Sequence, residues 1–240
     1  MKKLVTLALL CGAAWPLLAA TFNVSPIRVG LSAQRPIVPL SVRNEGDEPM
    51  VVQVQAVRWS QKNGEDVYES TTDILATPPI ITVPPRGTQI VRVGLRRGVD
   101  PERELSYRVY LAEVPAPPAA DATRVHVALR IGLPVFVSGP VLPKPALSWK
   151  VVPSEDGAAM LRVKNEGNAH AQIANVRLLS SPDRQPLARY PSPAYLLPGS
   201  AQEWRLQLEP GKRLGPDPVR LQAFMDAGDV DVDITPQAAD

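Results

Sequence analysis

The chain holds a single cysteine, Cys11, and it falls inside an apolar opening stretch. Beyond that stretch no thiol exists to form a disulfide, attack a substrate or complete a cysteine zinc site. Histidine is nearly as scarce. His126 and His170 are the only two, and they form no His-x-x-x-His pair, so the helical metalloprotease arrangement is excluded. No Gly-x-Ser-x-Gly elbow and no phosphate-cradling glycine loop occurs. Neither sign of charge is in surplus: 26 Lys and Arg face 24 Asp and Glu, and Lys2 and Lys3 lie in the opening stretch. A near-neutral chain lacks the concentrated basic face of a nucleic-acid binder. Aromatic residues make up only 5% of the chain, and no long helical periodicity runs through it. The expectation is a protein without catalysis, metal, cofactor or nucleic-acid partner.

The opening stretch is "MKKLVTLALLCGAAWPLLAA", residues 1–20. A basic start, an apolar run and a close on small residues describe a secretory signal peptide, with cleavage after Ala19 or Ala20. Two alternatives are a retained membrane anchor and lipidation at Cys11. The residues "ALL" before Cys11 make a poor lipoprotein signal. No second apolar run is long enough to span a bilayer, so stable membrane insertion is not expected. The remaining chain, about 220 residues, can build one or two cores.

What is abundant is proline, 27 residues of it, set between short alternating segments. Seven such segments follow one another: "TFNVSPIRVGL", "PIVPLSVRN", "MVVQVQAVRW", "IITVPP", "TQIVRVGLR", "YRVYLAEVP" and "RVHVALRIGLPVFV". This count and spacing match an immunoglobulin-like sandwich. "VSGPVLPKPALSW" then carries three prolines and a glycine, which stiffen the chain and read as a linker. The same grammar resumes in "PALSWKVV", "AAMLRVKN", "AHAQIANVRLL", "AQEWRLQLEP" and "VRLQAFMDAGDVDVDI", the last with a hairpin signal at Ala227-Gly228. The expected organisation is all-β, with one sandwich over residues 21–138, a linker over 139–145 and a second sandwich over 146–240. A weak internal repeat supports two units: "LSVRNEGDEPMVVQVQAVRW" resembles "LRVKNEGNAHAQIANVRLL", each with a strand ending at Asn-Glu-Gly. Chance likeness between two hairpins is the alternative.

The segment Arg124–Val137 stands out. Its odd positions, Val125, Val127, Leu129, Ile131, Leu133, Val135 and Val137, are all apolar, which reads as one strand of fourteen residues with an apolar face. Pro134 points to an edge position, because proline cannot donate to a ladder. An apolar row on an edge strand attracts another chain by strand addition. The same row packed into its own sandwich core is the other reading, and composition leaves both open. Asp229, Asp231 and Asp233 alternate along "DAGDVDVD". Residues sharing one strand face do not wrap round a calcium ion, so they read as a solvated face that discourages edge pairing.

Four of these segments, in this order, resemble the periplasmic chaperones of pilus (fimbrial) assembly by the chaperone–usher route. "NVSPIRVGL" looks like the family's first strand with its arginine, here Arg28. "RNEGDEPMVVQVQAVRW" resembles its second turn and third strand, ending at Trp59. "ATPPIITVPPRGTQIVRVGLR" is similar to a proline-rich segment of the family. "ELSYRVYLAEVP" and the alternating strand after it are similar to its sixth and seventh strands. The likeness covers essentially the whole chain after the signal.

The resemblance implies two immunoglobulin-like domains set as a boomerang around a cleft. It implies a periplasmic chaperone that captures a pilus subunit lacking its last strand. The chaperone lends its own strand and passes the subunit to an outer-membrane usher. By the same resemblance the lent residues are Val125, Val127, Leu129 and Ile131, and the subunit's C-terminal carboxylate is gripped by Arg28. The best-known branch has a second cation where Pro134 stands. Its absence resembles the divergent, archaic branch that serves spore-coat-like pilins, and leaves Arg92, Arg96, Lys144 and Arg130 as candidate second anchors. Glu104 aligns with an acidic residue that bridges the two domains, but the expected arginine partner is Ser138. The short "APPAADAT" loop (116–123) resembles the class serving adhesive rods. An exposed apolar strand also makes self-association of the free protein one way to hide it. The rival readings are a structural or adhesive two-sandwich surface protein and a secreted hydrolase on a sandwich scaffold.

Overall fold

In the computed structural model, which describes residues 22–115, 127–154, 158–181, 183–191 and 193–237, every regular element is a strand. The first ten are β1 (Phe22–Ser25), β2 (Val29–Ser32), β3 (Ile37–Asn44), β4 (Met50–Lys62), β5 (Glu65–Ser70), β6 (Ile74–Thr77), β7 (Ile80–Val83), β8 (Thr88–Leu95), β9 (Leu105–Val114) and β10 (Arg130–Ser138). One sheet runs β1-β3-β8-β6. The other runs β2-β10-β9-β4-β5, with β7 also on β4. Alternation decides which side chains meet between them. Val38, Leu40 and Val42 of β3 and Val91 and Val93 of β8 face Val52 and Val54 of β4, Val109 and Leu111 of β9 and Val135 of β10 in one buried cluster. These are all-β sandwich contacts of the kind expected from period-two patterning.

The second group is β11 (Leu147–Pro153), β12 (Ala159–Asn165), β13 (Ala171–Ser180), β14 (Pro186–Tyr190), β15 (Ala194–Leu196), β16 (Ala201–Leu208), β17 (Val219–Met225) and β18 (Val230–Ile234). Their order is β11-β12-β16-β14-β13-β17-β18, with β15 on β13. β16 pairs first with β12 and, further along, with β14, so this one strand joins the two faces that enclose a separate core around Leu161, Ile173, Leu178, Leu196 and Leu221. The expected hairpin at Ala227-Gly228 joins β17 to β18, and Gly228 takes φ +115°, a value side-chain-bearing residues rarely adopt. Arg220 on β17 is gripped by Asp231 at 2.6 Å and Asp233 at 3.0 Å. Those aspartates therefore form an ion-paired face, and no cluster of metal-ligating side chains occurs among the described residues.

The Asn-Glu-Gly repeat has a physical counterpart. Asn44 ends β3 and Asn165 ends β12, and both are buried. Asn44 Nδ2 donates to the carbonyls of Glu48 at 2.7 Å and Val83 at 3.2 Å, while its Oδ1 accepts from the Gly46 N–H at 2.8 Å. Asn165 Nδ2 donates to Ala169 at 2.7 Å and Leu196 at 3.0 Å, and its Oδ1 accepts from Gly167 at 3.0 Å. Each asparagine thus ties the turn after its own strand to the end of a strand far along the chain, and a fully bonded buried amide carries little penalty. Gly167 has a further reason to lack a side chain. A Cβ there would stand 2.3 Å from the Lys144 carbonyl oxygen and 2.5 Å from the Ala146 nitrogen, because the linker lies directly on this turn. Replacing Asn165 by Ala should strand two buried carbonyls and cost about 2–4 kcal/mol, and replacing Asn44 by Ala, which strands only the Val83 carbonyl in a buried place, about 1–3 kcal/mol, each read as a lower urea midpoint at unchanged slope.

A second, partly buried polar knot holds the first sandwich near its joint. Asp73 Oδ2 accepts from the Tyr107 hydroxyl at 2.9 Å and from Arg58 at 2.9 Å, with Arg97 at 3.5 Å. Burial alone would raise the Asp73 pKa, but the Tyr107 hydrogen bond and the Arg58 and Arg97 charges outweigh it and hold it below the usual carboxylate range. Burial and the facing carboxylate push the Tyr107 phenol up to about 12. A depressed folded pKa means that Asp73 stabilises the fold above its unfolded value, about 4, and that this contribution is lost as pH falls through the lower folded value. Wild type should therefore out-melt Asp73→Asn at neutral pH, and the gap between the two melting temperatures should close below about pH 4.

Candidate functional site

The odd row of β10 changes character along its length. Val137, Val135 and Leu133 are sealed in the first core, while Ile131 and Leu129 are half-buried against it. Val127 is 71% exposed, and Val125 lies outside the described residues. Residues 124–126 of the expected strand lie outside the described residues, and within the described part the strand begins at Arg130 and not at Val127. The cause is the supply of partners. β9 ends at Val114, and beside that end Glu113 N–H donates to the Leu129 carbonyl at 2.9 Å while Leu129 N–H donates to the Glu113 carboxylate at 3.3 Å. On the other side, β2 runs parallel to β10 only over Val135–Ser138. β10 is therefore an inner strand beyond Pro134, and an edge strand before it.

The even face of β10 carries a ladder of rings and cations. Arg130 lies over the Tyr110 ring at 3.8 Å, and Arg108 lies over Trp59 at 4.5 Å and Tyr68 at 5.3 Å. Gly132 leaves room for the Tyr110 ring, since a Cβ there would come within 2.9 Å of it. Phe136 continues the same face into a small cluster with Trp59, Leu197 and Tyr195. This cluster joins the two sandwiches, because Leu197 and Tyr195 belong to the second.

Arg28 precedes β2 and reaches across the same joint. Its guanidinium donates to Asp226 at 2.9 Å and to the Gln172 side-chain oxygen, while the Gln172 N–H donates to the other Asp226 oxygen at 2.9 Å. The other candidate cations are dispersed. Arg92 sits on β8 between Pro39 and Thr77, in the sheet that does not contain β2, and Arg96 follows that strand with its N–H on the Asp73 carbonyl. Lys144 lies in the linker, with its backbone clamped by Asn168. Arg130 is engaged with Tyr110.

Glu104, expected to want an arginine at Ser138, finds its partner elsewhere. Its carboxylate accepts from the His170 N–H at 3.1 Å and lies 2.6 Å from His170 Nδ1. The His170 ring stacks on Phe136 at 3.4 Å and 4°, and its Nε2 faces Asp226 at 3.8 Å. One histidine of the second sandwich thus links the Glu104 loop, β10 and the carboxylate that holds Arg28.

A family model described as pili and flagellar-assembly chaperone, PapD N-terminal domain, matches residues 21–142. The chain belongs to the pili and flagellar-assembly chaperones. Its fold is that of solved structures in the same group. A chain in the CsuC–CsuE chaperone–tip adhesion subunit pre-assembly complex, from archaic chaperone–usher Csu pili of Acinetobacter baumannii, is 21% identical, with 91% of this chain and 100% of that one covered and a TM-score of 0.69. The Pseudomonas aeruginosa CupB2 chaperone is 19% identical over 90% and 100%, with a TM-score of 0.58. A chain from the Salmonella enterica SafA pilin–SafB chaperone complex is 18% identical over 90% and 96%, with a TM-score of 0.60. Among curated proteins, none matches the chain.

Two joint residues of this chaperone were not singled out by sequence. In the sequence His170 is only one of two histidines without a pairing motif, and the cue to its role is its place just after the Asn-Glu-Gly turn of the repeat. Gln61 carried no cue at all. Its Nε2 donates to the Tyr195 carbonyl at 2.8 Å and its Oε1 accepts from the Leu197 N–H at 2.9 Å. Gln61→Ala should leave both groups of the second sandwich unpaired at a cost of about 1–3 kcal/mol. The readout is faster hydrogen exchange at the Leu197 amide, with the core amides of β12 and β13 unchanged.

Proposed function

We propose that this pilus-assembly chaperone binds a secreted pilus subunit by strand addition along the free edge of β10. The observation that carries the reading is an apolar row anchored in the core at Leu133–Val137 and running outward through Ile131, Leu129 and an exposed Val127, beside an edge that β2 leaves unpaired before Val135. An incoming strand would gain ladder hydrogen bonds there, and its groove would receive Ile131, Leu129 and Val127, with Val125 next in the sequence row, at about 1.5–3 kcal/mol per buried side chain. Arg28 receives the subunit's C-terminal carboxylate, because a guanidinium offers two parallel donors to a carboxylate and already holds one in Asp226. The chaperone works in the periplasm after removal of residues 1–20, without catalysis, and hands the subunit to an outer-membrane usher. Its likeness to a complex from archaic Csu pili supports placement in that branch. The working division is a subunit-binding domain over 21–138, a linker over 139–145 and a second domain over 146–240.

Co-expression of the chaperone with its pilus subunit in a periplasm should yield a one-to-one complex. Leu129→Glu places a charge in the groove, and Arg28→Ala removes the carboxylate's partner. Each should lower recovery of the complex by about tenfold or more while the free variant still folds by circular dichroism. Wild-type recovery with both variants would rule the mechanism out.

A further inference from the structure

Several elements of the joint meet at the His170 ring, and each presents a different group to it. The loop ahead of β9 supplies the Glu104 carboxylate, 2.6 Å from Nδ1. Asp226, just after β17, has its Oδ2 3.8 Å from Nε2 and 2.9 Å from Arg28. Phe136 of β10 covers one face of the ring, and the Tyr195 ring lies 5.9 Å away. Arg103, next to Glu104 in the chain, is 3.9 Å from Asp100. Water has little access: the His170 and Glu104 side chains are 12% and 4% exposed.

These contacts suit a cation. A nitrogen 2.6 Å from a carboxylate oxygen needs a proton between the two, so Nδ1 carries one. In a neutral ring Nε2 is then a bare acceptor. It is buried, it has no hydrogen-bond partner, and it faces a second carboxylate. A proton on Nε2 turns that repulsion into attraction. The charges agree: Glu104 and Asp226 against Arg28 leave one negative charge, which an imidazolium cancels. The stacking points the same way. The His170 and Phe136 centroids are 3.4 Å apart and the planes within 4°. Carbon–carbon contact alone takes about 3.5 Å, which leaves no room for the offset that neutral rings prefer. A cationic ring over the negative face of Phe136 is attracted instead.

We propose that His170 is a proton-operated clasp between the sandwiches: a second proton, on Nε2, closes the joint, and its loss loosens it. Histidine is the side chain that ordinarily exchanges a proton between about pH 5 and 8. The closed joint binds one proton more than the open one. Closure is therefore favoured as pH falls through the ring's titration and is lost as pH rises through it. At still lower pH, where Glu104 and Asp226 take protons of their own, the attraction disappears again.

The test uses the purified chain, ¹⁵N-labelled, without any pilus subunit, so its outcome is independent of the subunit-binding reading. Long-range ¹H–¹⁵N spectra of the imidazole, assigned with His170→Gln, report how many protons the ring holds between about pH 5 and 8. Residual dipolar couplings of the backbone amides, measured on the same samples in an uncharged medium, report whether the two sandwiches align as one body. A doubly protonated ring with one shared alignment is expected at the acid end. A singly protonated ring with two diverging alignments is expected at the alkaline end, and both changes should have the same midpoint. Glu104→Gln, which removes one of the two carboxylate charges, should move that midpoint down by about one pH unit. His170→Gln should abolish the pH response of the couplings. A ring that keeps one charge state throughout overturns the proposal, as does a titration that leaves the couplings unchanged, or the same pH response in His170→Gln.

Discussion

A strand with a period of two cannot choose where each side chain goes. Once Leu133, Val135 and Val137 are seated in the first core, Ile131, Leu129 and Val127 must continue along the same line. The only freedom left is how far the core extends beneath them. In this chaperone it thins out toward Val127, which stands 71% exposed. The fold that stabilises the protein therefore aims the row proposed to meet a subunit, and a one-residue slip would turn that row away while emptying the core. Register and the direction of that row are protected by the same burial.

The other face of β10 is subject to the same rule and serves a different end. Phe136 lies between Val135 and Val137 in sequence but points to the joint, where it stacks on His170. Glu104 and Gln61 add hydrogen bonds to the second sandwich within the same region. One strand thus carries the core on one face and the interdomain contact on the other. Any shift of β10 needed to accept a partner strand would be felt at the second sandwich through Phe136.

Much of this was legible in the sequence because it depends on local pattern. Alternation marked the strands, the Asn-Glu-Gly repeat marked two units, and Ala227-Gly228 marked a hairpin. Asn44 and Asn165 go further, since a shared turn chemistry produced the same set of hydrogen bonds in each sandwich. Two things escaped. The start of β10 depends on where neighbouring strands end, which alternation within Arg124–Val137 does not encode. The Glu104–His170 contact joins residues 66 positions apart, and neither residue carries a local signal of the other. Looking for an arginine at Ser138 assumed that the partner would be supplied from the same place as in the resembled family. Here the second sandwich supplies it with a different side chain.

Arg28 brings these strands of argument together. Its guanidinium is already paired across the joint with Asp226 and Gln172, and Asp226 also faces His170. A carboxylate arriving at Arg28 must either share the guanidinium with Asp226, placing two like charges side by side, or displace it. Displacement would free Asp226 beside His170, the residue that binds Glu104 and stacks on Phe136. Capture of an anion at Arg28 and the hold between the sandwiches are then linked through one aspartate. Since Phe136 stands on the strand whose edge is offered, the linkage also runs back to β10. The two contacts a subunit would make, one with the edge and one with Arg28, converge on a single joint, so neither is expected to act without the other.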